Sequence, residues 1–165
     1  MASPTRIPHL VIRSDKDTHF TGALAQNAGE DEDLAHPSYA GFPTAGHAKK
    51  PDAIASSRIF IRELRVWSDQ NLSWEVQFYS KDTFDDTDAD VDTFLGSFTF
   101  AVADGLQVAG AGLYRYNQTK LELFYYDADK TGEIHVKVVN RSSTTKNAGA
   151  TGEVVVEIAA EWVHA

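Results

Sequence analysis

From Arg58 to the end of the chain, apolar residues recur with the two-residue period of a β-strand and never settle into a helical one. Leu72, Trp74, Val76 and Phe78 alternate with Ser73, Glu75, Gln77 and Tyr79, which predicts a strand with one face in a core and one in water. The same alternation sets Ile134, Val136 and Val138 against His135 and Lys137, and Val154, Val156, Ile158, Ala160 and Trp162 against Val155, Glu157, Ala159 and Glu161. On that phase Trp74 and Trp162 belong to the core and His135 to the solvent face. Residues 58–67 place Phe60, Leu64 and Val66 on one face but Ile59 and Ile61 on the other, so this strand is buried on both sides at its start or bulges near Arg62. Residues 93–103 carry Phe94, Phe98, Phe100 and Val102 in one phase, with Gly96 marking a bulge or close approach. A Gly-rich connection over 104–112 leads to two further strands, 113–117 and 119–126. Six to seven strands separated by Asp, Gly, Ser and Asn clusters predict an all-β antiparallel sandwich, jelly-roll-like, and disfavour a parallel α/β fold.

The first 57 residues read differently. All five prolines, Pro4, Pro8, Pro37, Pro43 and Pro51, lie there, among Gly, Ala, Ser and Asp, with apolar residues in no sustained period. Two parts are therefore expected: an extended irregular N-terminal arm over 1–57 and a β-sandwich domain over 58–165. Ordering a backbone costs roughly 1–2 kcal/mol per residue, more than such sparse anchors recover on themselves, so another surface must order the arm. Ile7, Leu10, Ile12, Phe20, Tyr39 and Phe42 are the side chains expected to meet that partner.

Charge narrows the choice of partner. Fifteen Lys and Arg face 24 Asp and Glu, a net charge of −9, and the excess of acid holds on both sides of residue 57. Nucleic acid and anionic membranes both select clustered positive charge, so neither is an expected partner. With no cysteine, disulfides and thiolate metal sites are excluded. The early apolar cluster Leu10-Val11-Ile12 is too short for a signal-peptide core, so synthesis is expected in the cytoplasm without a secretion signal.

Two acidic segments invite a metal reading. Asp82, Asp85, Asp86, Asp88, Asp90 and Asp92 crowd one loop, where their mutual repulsion is relieved either by solvent or by a calcium ion. Asp127-Ala-Asp129-Lys-Thr131-Gly132 matches the first half of a calcium loop, but Val138 stands where a bidentate Glu is needed, and a polar hairpin turn accounts for it more simply. His9, His19, His36 and His47 lack metal-site spacing. No nucleophile elbow, phosphate loop or zinc-protease motif occurs, so the chain is read as a non-enzyme with no required cofactor. Tyr79, Tyr114, Tyr116 and Tyr126 are the aromatics expected at the surface, where they would suit a carbohydrate-binding module recognising host-surface glycans, with or without calcium.

The stretch Val138-Val-Asn-Arg-Ser-Ser-Thr-Thr-Lys-Asn-Ala-Gly-Ala-Thr-Gly-Glu-Val-Val-Val-Glu157, with Leu72-Ser-Trp-Glu-Val-Gln-Phe78 and the Asp-rich loop, resembles small structural proteins of tailed bacteriophages. That resemblance covers about the last 100 residues. It implies an accessory virion protein, a capsid decoration or cement protein acting as a homo-oligomer, with the major capsid protein and copies of itself as partners. A tail or baseplate component of the same kind of particle is the neighbouring alternative. On either reading the arm would gain order by lying across other subunits.

Overall fold

A computed structural model describes residues 6–13, 29–35, 58–81, 93–108, 110, 112–126, 133–146 and 154–163. They form nine strands: β1 (Arg6–Arg13), β2 (Gly29–Ala35), β3 (Arg58–Ser68), β4 (Trp74–Tyr79), β5 (Phe94–Phe100), β6 (Leu106–Val108), β7 (Leu113–Tyr125), β8 (Glu133–Asn140) and β9 (Val155–Val163), with one 3-10 turn at Val102–Asp104. One sheet runs β1-β9-β3-β7-β6 and the other β2-β8-β4-β5, and every recorded pairing is antiparallel.

Set aside the three-residue β6 and the topology is that of a jelly roll. The eight longer strands divide as β1-β9-β3-β7 and β2-β8-β4-β5, with the two halves of each strand pair β1/β2, β3/β4 and β8/β9 falling in opposite sheets. Residues 6–13 and 29–35 lie within the stretch expected to be irregular, yet they run as strands. β1 bonds β9, with Ile7 opposite Trp162, Leu10 opposite Ala160 and Ile12 opposite Ile158. β2 bonds β8 along seven residues, Gly29 opposite Val139 through Ala35 opposite Glu133. The surface that orders these two segments is thus the chain's own pair of sheet edges, which supply the backbone partners a segment without periodicity cannot supply itself.

The core between the sheets contains Ile61, Leu64 and Val66 of β3, Trp74, Val76 and Phe78 of β4, Ile134, Val136 and Val138 of β8, and Val156, Ile158 and Ala160 of β9, all fully buried. Trp74 takes the core position its phase predicts. The phase break in β3 is a bulge: its register to both β7 and β9 shifts between Ile61 and Glu63, so Ile61 and Leu64 reach the same interior. Phe60 is left on the opposite face, edge to face with Phe124 at 5.2 Å and under the Arg62 guanidinium at 5.1 Å.

Three expectations are corrected. The stretch 113–126 holds one continuous strand, β7, because Lys120 takes a left-handed conformation (φ 60) that absorbs the phase change without ending the pairing. His135 is fully buried, since β8 lies between β2 and β4 and is covered on both faces from Ile134 to Asn140. Tyr116 is likewise fully buried and faces the core.

Candidate functional site

The acidic loop Asp82, Asp85, Asp86, Asp88, Asp90 and Asp92 lies outside the described residues, as do Asp127–Gly132 and the arm residues Phe20, Tyr39 and Phe42. Among the described residues, no three His, Asp or Glu side chains converge in a way that would hold a metal ion. Ile7, Leu10 and Ile12 lie on β1, at the outer edge of the five-stranded sheet.

What the fold does assemble is a set of polar clusters that tie loops to strands. The first centres on Tyr116. Its ring packs against Phe100 at 5.9 Å, its hydroxyl accepts a hydrogen bond from the Leu72 backbone N–H (2.9 Å) and donates one to Asn71 Oδ1 (2.8 Å). Burial pushes the Tyr116 hydroxyl pKa up, against a smaller opposing effect from the Leu72 bond. Gly105 lies directly over this ring: a Cβ placed there would stand 2.9 Å from Tyr116 Cε1 and would also meet Asn71 Oδ1.

A second cluster runs along the outward face of β4. Tyr79 donates its hydroxyl proton to Gln77 Oε1 (2.7 Å), Gln77 Nε2 donates to Glu75 Oε1 (3.1 Å), and Arg141 Nε donates to Glu75 Oε2 (2.6 Å). Burial raises the Glu75 pKa, but hydrogen bonds from Gln77, Arg141 and Ser97, with the Arg141 charge, outweigh it and leave the pKa lowered. Register sets Gln77 beside Lys137 and Tyr79 beside His135 on β8. Tyr79 and Gln77 spend hydrogen-bonding capacity within this ladder.

The third cluster fixes the segment after β8. Arg141 N–H donates to Ser73 O (2.8 Å), Ser73 N–H to Ser142 Oγ (2.6 Å), and Asn140 Nδ2 to Thr144 O (2.8 Å). Beyond it the wholly buried Lys146 ammonium pairs with Asp69 in the β3–β4 connection. On the five-stranded sheet Arg65 bridges Glu63 and Glu157, each at 2.5 Å, and the Glu157 bond leads in holding its guanidinium pKa above the ordinary value. The charge pattern of the sequence contains no cue for Lys146–Asp69 or Arg65–Glu157, whose partners lie 77 and 92 residues apart and meet only through the fold, whereas Glu63 and Arg65 are neighbours on one face of β3.

The surface aromatics divide. Tyr126 is 44% exposed, as expected, whereas Tyr79 and Tyr114 are half-buried and Tyr79 packs edge to face on Phe94 at 5.7 Å. Phe94, Val102 and Leu106 are exposed apolar side chains at and beyond the two ends of β5, at 44%, 45% and 60%. No helix among the described residues is long and apolar enough to cross a membrane.

No family model matches the sequence, and no curated protein does. Among solved structures, the chain is similar to the virus-like particle of extra small virus from the giant freshwater prawn Macrobrachium rosenbergii, with 11% identity over 98% of this chain and 80% of that one and a TM-score of 0.35. It is also similar to desmodium yellow mottle tymovirus, with 9% identity over 99% of this chain and 83% of that one and a TM-score of 0.37. The jelly roll is given by the strand order of the two sheets.

Proposed function

We propose that this chain is a non-enzymatic structural component of a virus particle, and within it a decoration protein seated on the shell through the part of its N-terminal 57 residues that lies outside β1 and β2. The observation that carries the reading is the strand order: β1-β9-β3-β7 against β2-β8-β4-β5 is the jelly roll, an architecture used by viral shell proteins among others. A fold admits several roles, and the resemblance of Val138–Glu157 and Leu72–Phe78 to tailed-phage structural proteins favours this one over the lectin and cupin roles of the same architecture. The described clusters fit a scaffold. Tyr116, Glu75 and Lys146 each spend their hydrogen-bonding groups on the chain itself, which gives rigidity.

In the particle, residues outside β1 and β2 in the N-terminal stretch would supply contacts to the shell, with Phe20, Tyr39 and Phe42 as anchors. The test is co-sedimentation of the purified full chain with shells that lack it. Saturable retention is expected, and replacing Phe20, Tyr39 and Phe42 together by Ala should abolish it while the melting temperature stays unchanged. Retention unaffected by the triple substitution rules out this anchor; no retention of the unaltered chain rules out the decoration role.

A further inference from the structure

The four-stranded sheet ends in β5, and among the described residues β5 bonds β4 alone. An exposed strand edge presents unpaired N–H and C=O groups, and proteins guard such edges with charge, proline or brevity. The other edges here carry those guards. β1 contains Arg6, Pro8 and Arg13; β2 contains Glu30, Asp31, Glu32 and Asp33; β6 has three residues, and the β7 edge beyond it carries Lys120 and Glu122. β5 reads Phe-Leu-Gly-Ser-Phe-Thr-Phe, with neither charge nor proline, in a chain of 24 acidic and 15 basic residues. Its register to β4 shifts near Leu95, and from Gly96 to Phe100 the ladder is regular.

We propose that β5 is a self-association edge: it pairs antiparallel with β5 of a second copy about a two-fold axis at Ser97, joining two four-stranded sheets into one continuous sheet. Three observations select a second copy as the occupant. Chains of net charge −9 repel, and an uncharged strand is where two of them approach at least electrostatic cost. The strand is also self-complementary about Ser97: Phe98 then stands opposite Gly96 of the other copy, which has no side chain of its own to compete with the ring. Gly96 itself holds φ 153, a conformation that side chains rarely adopt, so a residue without a side chain is built into the strand at this point. Finally, the antiparallel arrangement carries the exposed Phe94 of one copy toward the Phe100–Val102 end of the other, covering apolar surface at both ends.

Sedimentation of the full-length chain tests it, with Ser97→Lys, Ser97→Glu and Leu106→Lys variants. The unaltered chain should sediment at twice the chain mass, and Leu106→Lys, on the other sheet, should leave that mass unchanged. Either substitution at Ser97 places like charges face to face across the axis and should halve the sedimenting mass, whereas an equimolar mixture of the Lys and Glu variants should restore it. A monomeric unaltered chain overturns the proposal. So does an oligomer that survives both Ser97 substitutions or dissociates with Leu106→Lys, and so does a mixture that fails to reassociate although circular dichroism shows both variants folded.

Discussion

At the scale of the residue, Tyr116 shows how the side chain joins a loop to the core. Its hydroxyl both accepts from Leu72 N–H, which it shares with Gln70 O, and donates to Asn71 Oδ1, so Tyr116→Phe removes two hydrogen bonds at once and should cost about 1–3 kcal/mol in urea unfolding. The folded pKa is raised above the ordinary tyrosine value of about 10, so the stability tied to the protonated hydroxyl is complete below that value and is lost as pH rises through the folded pKa. Alkaline titration of stability should therefore be shallower in Tyr116→Phe. Glu75 gives the opposite sign: its lowered pKa contributes stability above the ordinary carboxylate range that is lost as pH falls through the folded value, and Glu75→Gln should flatten the acid limb. Lys146 and Asp69 should respond unequally. Asp69→Asn leaves the charge of a fully buried ammonium without its carboxylate and should cost about 3–5 kcal/mol, whereas Lys146→Met leaves a carboxylate that is 22% exposed and hydrated, at smaller cost. None of these roles was legible in sequence: Tyr116 is an amphipathic side chain whose ring joins the core of a one-side-exposed strand, and His135 breaks the rule that a polar phase means solvent because β8 is covered on both sides.

At the scale of the element, legibility depended on whether the signal was local. The bulge in β3 could be read from the clash of phase between Ile59 and Ile61 and the pair Leu64 and Val66, and the register shift stands at that point. β4, β8 and β9 were legible because their alternation is unbroken, although β8 and β9 bury much of their polar phase as well. β1 and β2 were not, because they carry no period and are defined by pairing with β9 and β8 at the far end of the chain. β7 looked like two strands because a left-handed Lys120 interrupts the phase, and its pairing with β3 passes from Thr119 to Leu123 before continuing in the same strand. The connection from β5 to β6 has a sharper requirement: Gly105 packs onto the Tyr116 ring with no room for a Cβ, and Gly105→Ala should lower stability by about 1–3 kcal/mol in chemical denaturation, with Tyr116→Phe partly non-additive to it.

At the scale of the molecule, the N-terminal stretch and the rest of the chain meet as edges of the same two sheets. Removing residues 1–35 would bare β9 and β8, whose exposed lengths contain Val155, Val156, Ile158, Val136 and Val138. The truncated chain is expected to aggregate at concentrations where the full chain stays dispersed, read by light scattering, because two long apolar edges lose their guards together. The jelly roll makes this coupling necessary: one edge strand of each sheet, β1 or β2, comes first in sequence and its inner partner, β9 or β8, comes last, so the sandwich closes only when these two parts of the chain meet. The virion role proposed above places that closed body on a shell. Imaging of intact particles at a resolution that traces side chains tests it most directly. The account expects density for this chain on the outer face of the shell, with β1 and β2 in their own sheets and Phe20, Tyr39 and Phe42 against the major capsid protein. Particles with no density for this chain, or with it confined to the tail, would contradict it.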